Sequence, residues 1–157
     1  MLPTHKESII KLLDRTFNKG AWHGPSVMEV LDDVTQEVAM HRLKNSHSII
    51  ALVGHMTTWR TFVVDKLQGV HYEVDDSRNF PVATNWLSAL ADLRSSQEQL
   101  VDAIKNSDEL HWGELVPHGS YKYTFLTLLH GIIHHDLYHI GQISLIKKDF
   151  QSQLNQG

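Results

Sequence analysis

The chain contains no cysteine. That excludes disulfide scaffolds, thiolate metal sites and a cysteine nucleophile, and it fits a reducing compartment. Proline is scarce: Pro3, Pro25, Pro81 and Pro117 are the only four. Each falls between segments that can be helical, and none interrupts one. No apolar run approaches the roughly 20 residues of a membrane span. The start, MLPTHKESII, lacks the apolar core of a secretory signal. The cytoplasm is therefore the expected location. A basic surface is missing too: the net charge is −4 with histidine neutral, which gives nucleic acid nothing to bind. Strand-like alternation, internal repeats and low-complexity tracts are all absent.

What the chain has is helical periodicity and histidine. Its 157 residues fit one domain over 1–157, long enough to bury a core without disulfides. A first helix is predicted from a Thr4 cap to Asn18, with Ile9, Ile10, Leu12, Leu13 and Phe17 on its apolar face. Ser26 caps a short extra helix to about Val34, and Thr35 to Val38 can begin another turn. The second long helix runs from Ala39 or Lys44 to Leu67, with Gly69 ending it. His71 to Pro81 reads as loop. The third helix runs from a Thr84 cap to Lys105, and Asn106 to Gly119 is a second polar loop. The fourth runs from Tyr121 to Phe150 or beyond. Four long amphipathic segments predict an all-α four-helix bundle.

Twelve histidines in 157 residues are too many to read as one group, and helical phase sorts them. The last helix carries two i,i+4 pairs, His130/His134 and His135/His139, and residues four apart share a helix face. Its apolar stripe is formed by Phe125, Leu129, Ile132, Ile140, Ile143 and Phe150. At about 100° per residue, His139 falls on the order of 60° from the stripe centre and His135 about 100°. His130 and His134 fall roughly 120° and 160° away. The inner pair, His135 and His139, is therefore the candidate metal-binding pair. His55 on the second helix lies about 90° from its own stripe centre, also at a core border. A lone histidine there is more often packed or hydrogen-bonded than a ligand. Asp136 faces the stripe centre, where a carboxylate needs a partner. It either supports a metal-bound histidine or makes a helix-packing hydrogen bond.

Leu52-Val53-Gly54-His55-Met56, the run His134-His135-Asp136-Leu137-Tyr138-His139-Ile140-Gly141-Gln142-Ile143, and the loop Trp22-His23-Gly24-Pro25-Ser26 together resemble the DinB/YfiT-like superfamily. The likeness covers the whole chain in order and length. It implies an up-down-down-up bundle holding one divalent metal, zinc, nickel or another, through His55, His135 and His139, with water in the remaining positions. It implies a homodimer. Some members of the family transfer low-molecular-weight thiols such as bacillithiol or mycothiol, and one branch isomerises maleylpyruvate with a thiol cofactor. Many have no assigned activity.

The expectation for function is thus a metal-binding protein, with a metal-dependent transferase as its first reading, using an external thiol since the chain has no cysteine of its own. Trp22, His23, Trp59 and Tyr138 are candidates for shaping the pocket. A metal-dependent hydrolase is the alternative, with Asp136 or Glu37 as base. A non-enzymatic, stress-related metal-binding protein is a third reading.

Overall fold

The computed structural model describes residues 3–70, 72–117 and 122–156. Four long helices dominate: α1 (His5–Phe17), α4 (Ile49–Leu67), α6 (Trp86–Asn106) and α7 (Phe125–Leu154). Three short ones, α2 (Val27–Leu31), α3 (Gln36–Met40) and α5 (Asp76–Asn79), lie in the connections, with a 3-10 turn at Glu109–His111. No strand forms among the described residues; Leu115 and Thr124 make an isolated bridge.

Each long helix starts at a side-chain cap, because its first N–H groups have no partner within the helix. Thr4 accepts from the Glu7 N–H, and Glu7 returns a bond to the Thr4 N–H. Ser48, Asn85 and Thr124 accept from the N–H groups of Ala51, Ser88 and Thr127. These caps correct three predicted boundaries. The second long helix begins at Ile49, because Asn45 takes a left-handed φ of 61° and breaks the segment. Gln36–Met40 folds as its own helix under a Thr35 cap. The third begins at Trp86, because Gln36 holds the loop: its amide donates to the Thr84 carbonyl and accepts from the Trp86 N–H. The fourth begins at Phe125; Tyr121, its expected start, lies outside the described residues. The loop read from His71 to Pro81 contains the short α5, and its first residue also lies outside. Gly69 follows the α4 cap with φ 80°, a conformation that favours glycine.

Core composition sets the helix directions. One apolar cluster joins Phe17 at the end of α1, Ile49 to Met56 of α4, Trp86 to Leu93 of α6 and Ile140 to Ile146 of α7. The other joins Ile9 and Leu13 of α1, Phe62 to Val64 of α4, Leu100 and Ile104 of α6, and Leu129 to Ile133 of α7. So α1 and α7 run one way and α4 and α6 the other, which is the up-down-down-up arrangement. The Lys6 ammonium at the start of α1 accordingly reaches the Lys105 and Ser107 carbonyls at the end of α6.

Between the two apolar clusters lies a buried polar layer. The Arg60 guanidinium donates to Asp136 Oδ2 at 2.6 Å, to Gln97 Oε1 at 3.3 Å and to the Met56 carbonyl at 3.3 Å. It also stands 4.9 Å from the centre of the Phe17 ring. One side chain thus touches all four long helices. Arg60 and Asp136 are both fully buried. Burial pushes the Asp136 carboxyl up and the Arg60 guanidinium down, and each is opposed by the other's charge.

Candidate metal centre

One turn from this layer, α4 and α7 bring three imidazoles together. His135 Nε2 lies 3.0 Å from His55 Nε2 and 3.1 Å from His139 Nε2. The three rings come from the i,i+4 pair on α7 and from the facing border of α4. His55 and His139 are buried, His135 is half-buried, His130 is half-exposed and His134 is exposed.

The outer nitrogens explain how the inner ones are held. His55 Nδ1 lies 2.8 Å from the Asn79 carbonyl, which can only accept, so Nδ1 carries the proton. His139 Nδ1 donates likewise to Gln142 Oε1 at 2.7 Å. In the neutral rings both Nε2 atoms therefore present lone pairs. His135 Nε2 can donate its one proton to only one of them, leaving the other contact without a proton of its own. Its Nδ1 is buried and has no hydrogen-bond partner among the described residues. A cation at the meeting point satisfies all three Nε2 atoms at once. The spacing suits it: with metal–nitrogen bonds of about 2.1 Å, ligands at right angles stand ~3.0 Å apart and tetrahedral ones ~3.4 Å. The donors thus fit a face of three neutral imidazoles with further positions open.

Aromatic packing fixes the His55 ring. Phe80 stacks on it at 4.3 Å between centroids, with planes 11° apart, and His47 stacks on Phe80 at 3.7 Å. These near-parallel contacts make Phe80 the middle layer of a sandwich. Trp59 lies 5.9 Å from His135 between ring centres and donates its indole N–H to Asn79 Oδ1. Asn79 therefore serves two walls of the site. The strap carrying Asn79 and Phe80 can sit this close because residue 54 is glycine: a Cβ there would lie 3.2 Å from Pro81 Cγ.

The sequence profile of the DinB superfamily matches residues 21–143. The chain belongs to the DinB superfamily. No curated protein and no solved structure matches it. The DinB match contains His55, His135 and His139 together with Asn79, Gln142, Arg60 and Asp136, so the site and its supports lie within the family's own span. Members of the DinB superfamily are helical bundles, as this chain is. No helix among the described residues is long and apolar enough to cross a membrane.

The other expected site residues are distributed unevenly. Trp59 stands against the triad. Tyr138 is 65% exposed with its ring 5.1 Å from His139, at the rim. Trp22 is fully exposed and His23 is exposed, and neither is among the rings around the triad. Asp136 pairs with Arg60, a partner that sequence alone did not name. Asn79, Phe80, His47 and Gln142 were also missed. Of these only Gln142 carried a local signal, an amide one turn beyond His139 on the same face.

The buried rings make a pH prediction for the metal-free protein. Burial, then the neighbouring imidazoles and Arg60, hold His135 down to about 3; burial holds His139 down to about 4 and also lowers His55. The unfolded chain takes up protons near the ordinary histidine value while the folded chain refuses them. Stability is then fully present above about pH 6.5 and falls as pH drops toward 4. The expected loss between pH 7 and pH 4.5 is on the order of 2–3 kcal/mol for each of His135 and His139, since each tenfold difference in proton affinity between folded and unfolded chain is worth about 1.4 kcal/mol per group. Urea midpoints of chelator-treated protein at pH 7 and pH 4.5 check this. His135→Phe is expected to flatten the pH slope, and an unchanged slope counts against the assignment.

Proposed function

We propose that His55, His135 and His139 hold one divalent ion, zinc or nickel, and that this centre transfers an external low-molecular-weight thiol to an electrophilic substrate. In this reading the chain works as one domain over residues 1–157, as a cytoplasmic homodimer. The observation that carries it is the convergence of three Nε2 atoms, two of them on rings whose tautomers are set by Asn79 and Gln142. A divalent ion bound there acts as a Lewis acid and lowers the pKa of a thiol or water that it binds.

The chain's own residues favour an anionic ligand in the open position. Three neutral imidazoles leave the ion's charge uncompensated, and the Arg60–Asp136 pair beside them is neutral overall. A thiolate there would offset half of that charge. In the transfer its sulfur forms a bond to carbon, the leaving group departs with the bonding pair, and the thiol proton goes to solvent. His55, Phe80 and Trp59 form rigid walls that exclude water on one side. The hydrolytic reading has less support, because it calls for a general base beside the site. Asp136 is committed to Arg60, and Glu37 is exposed on α3.

The test uses zinc- or nickel-loaded protein with bacillithiol or mycothiol and a chloronitroaromatic electrophile. Conjugation is expected in wild type, with at least a hundredfold loss in His139→Ala. Ester hydrolysis without added thiol would overturn the transferase in favour of a hydrolase. Turnover in neither assay, with metal still bound, would leave a metal-binding protein without this activity.

A further inference from the structure

Helix α7 carries its histidine spacing twice. His130 and His134 repeat the i,i+4 relation of His135 and His139 on a different face of the helix. Their ring centroids are 6.5 Å apart with planes 34° from parallel. His134 is exposed and His130 half-exposed. Among the described residues neither ring makes a hydrogen bond or ion pair, so their nitrogens are available.

We propose that His130 and His134 form a second, separate site for a transition-metal ion on the outer face of α7. The inner pair shows what this spacing on this helix permits: its rings stand 4.4 Å apart with Nε2 atoms at 3.1 Å. The outer pair reaches that separation by rotation about its side-chain bonds alone. Its backbone is held inside a 30-residue helix, so closing the pair costs little more than rotamer freedom. Two imidazoles on one rigid face chelate, whereas single surface histidines do not. The donor set favours copper over nickel and zinc, following the usual order for divalent ions on nitrogen ligands. With two protein ligands and otherwise water, the site binds more weakly than a three-histidine centre. Its occupancy is independent of whether the triad is filled.

The experiment titrates chelator-stripped, untagged full-length protein with Cu²⁺ and also passes it over immobilised Cu²⁺, which reaches only exposed histidines. Wild type is expected to bind one equivalent more than His130→Ala/His134→Ala and to elute later. His55→Ala/His139→Ala is expected to keep that equivalent and that retention, which separates this site from the triad. His130→Ala alone is expected to weaken it at least tenfold, because chelation is lost. Alanine is a good helix former, so the variants keep the helix; unchanged far-ultraviolet dichroism verifies it. The proposal is overturned if the outer double variant binds as many equivalents as wild type, or elutes with it.

Discussion

Asp136→Ala is expected to cost about 3–5 kcal/mol of folding stability, the usual penalty for leaving one half of a buried ion pair without its partner. The Arg60 guanidinium would then lie fully buried with only the Gln97 and Met56 oxygens as acceptors. No route to solvent relieves it, since its side chain has no exposed surface. Arg60→Met alone leaves the Asp136 carboxylate in the same position, but a carboxyl can take up a proton and become neutral. Its burial already pushes it toward that form. The arginine variant should therefore lose less than the aspartate variant. Arg60→Met/Asp136→Leu removes both charges and keeps volume, and such replacements are often neutral or stabilising. Urea denaturation of the wild type, Asp136→Leu, Arg60→Met and the double variant forms a double-mutant cycle, with Asp136→Ala measured beside it. An Asp136→Ala midpoint within about 1 kcal/mol of wild type would show that the layer does not stabilise the fold in this way.

That layer was only half legible in the sequence. Asp136 stood out because a carboxylate in the middle of an apolar stripe is expensive without a partner. Its partner did not stand out, because Arg60 follows Trp59 on a helix where arginine is an ordinary residue. Only the packing of α4 against α7 reveals that its guanidinium points inward. The same division runs through the candidate metal centre. Period and phase on one helix were enough to separate His135 and His139 from His130 and His134, because the inner and outer faces of a long amphipathic helix differ in every turn. His55 needed the family likeness, since one histidine at a core border carries no pattern. Asn79 and Phe80 were out of reach for a different reason. They lie in a segment read as loop, and a loop has no period from which to infer what it faces. The corrected start of the third helix has a similar origin: Asn85 is the cap in place of Thr84 where Gln36 binds the 84–86 backbone, a tertiary contact that no local pattern shows.

Removing one imidazole of the triad should abolish stoichiometric metal. Wild type dialysed against zinc or nickel and then desalted is expected to retain one tightly held equivalent, and His55→Ala and His135→Ala well under a tenth of that. A two-imidazole remnant exchanges its ion during desalting, as a lone surface pair does. The supporting residues should show a graded effect, which separates ligands from neighbours. Gln142→Leu deletes the acceptor that holds the proton on His139 Nδ1. Losses of roughly 10–100-fold in affinity are typical when such a partner goes. Its metal content at saturation should stay near one equivalent while its dissociation constant rises. His134→Ala, beside the ligand but outside the triad, should keep the tight equivalent unchanged. Equal tight metal in wild type, His55→Ala and His135→Ala would refute the three-histidine assignment, whatever activity the protein proved to have. The pH dependence gives an independent handle. Since His135 and His139 remain neutral far below the ordinary histidine range, protons compete little for the folded site. Zinc affinity between pH 7.5 and pH 6 should therefore change less than for an exposed histidine pair, and fewer protons should be released on binding.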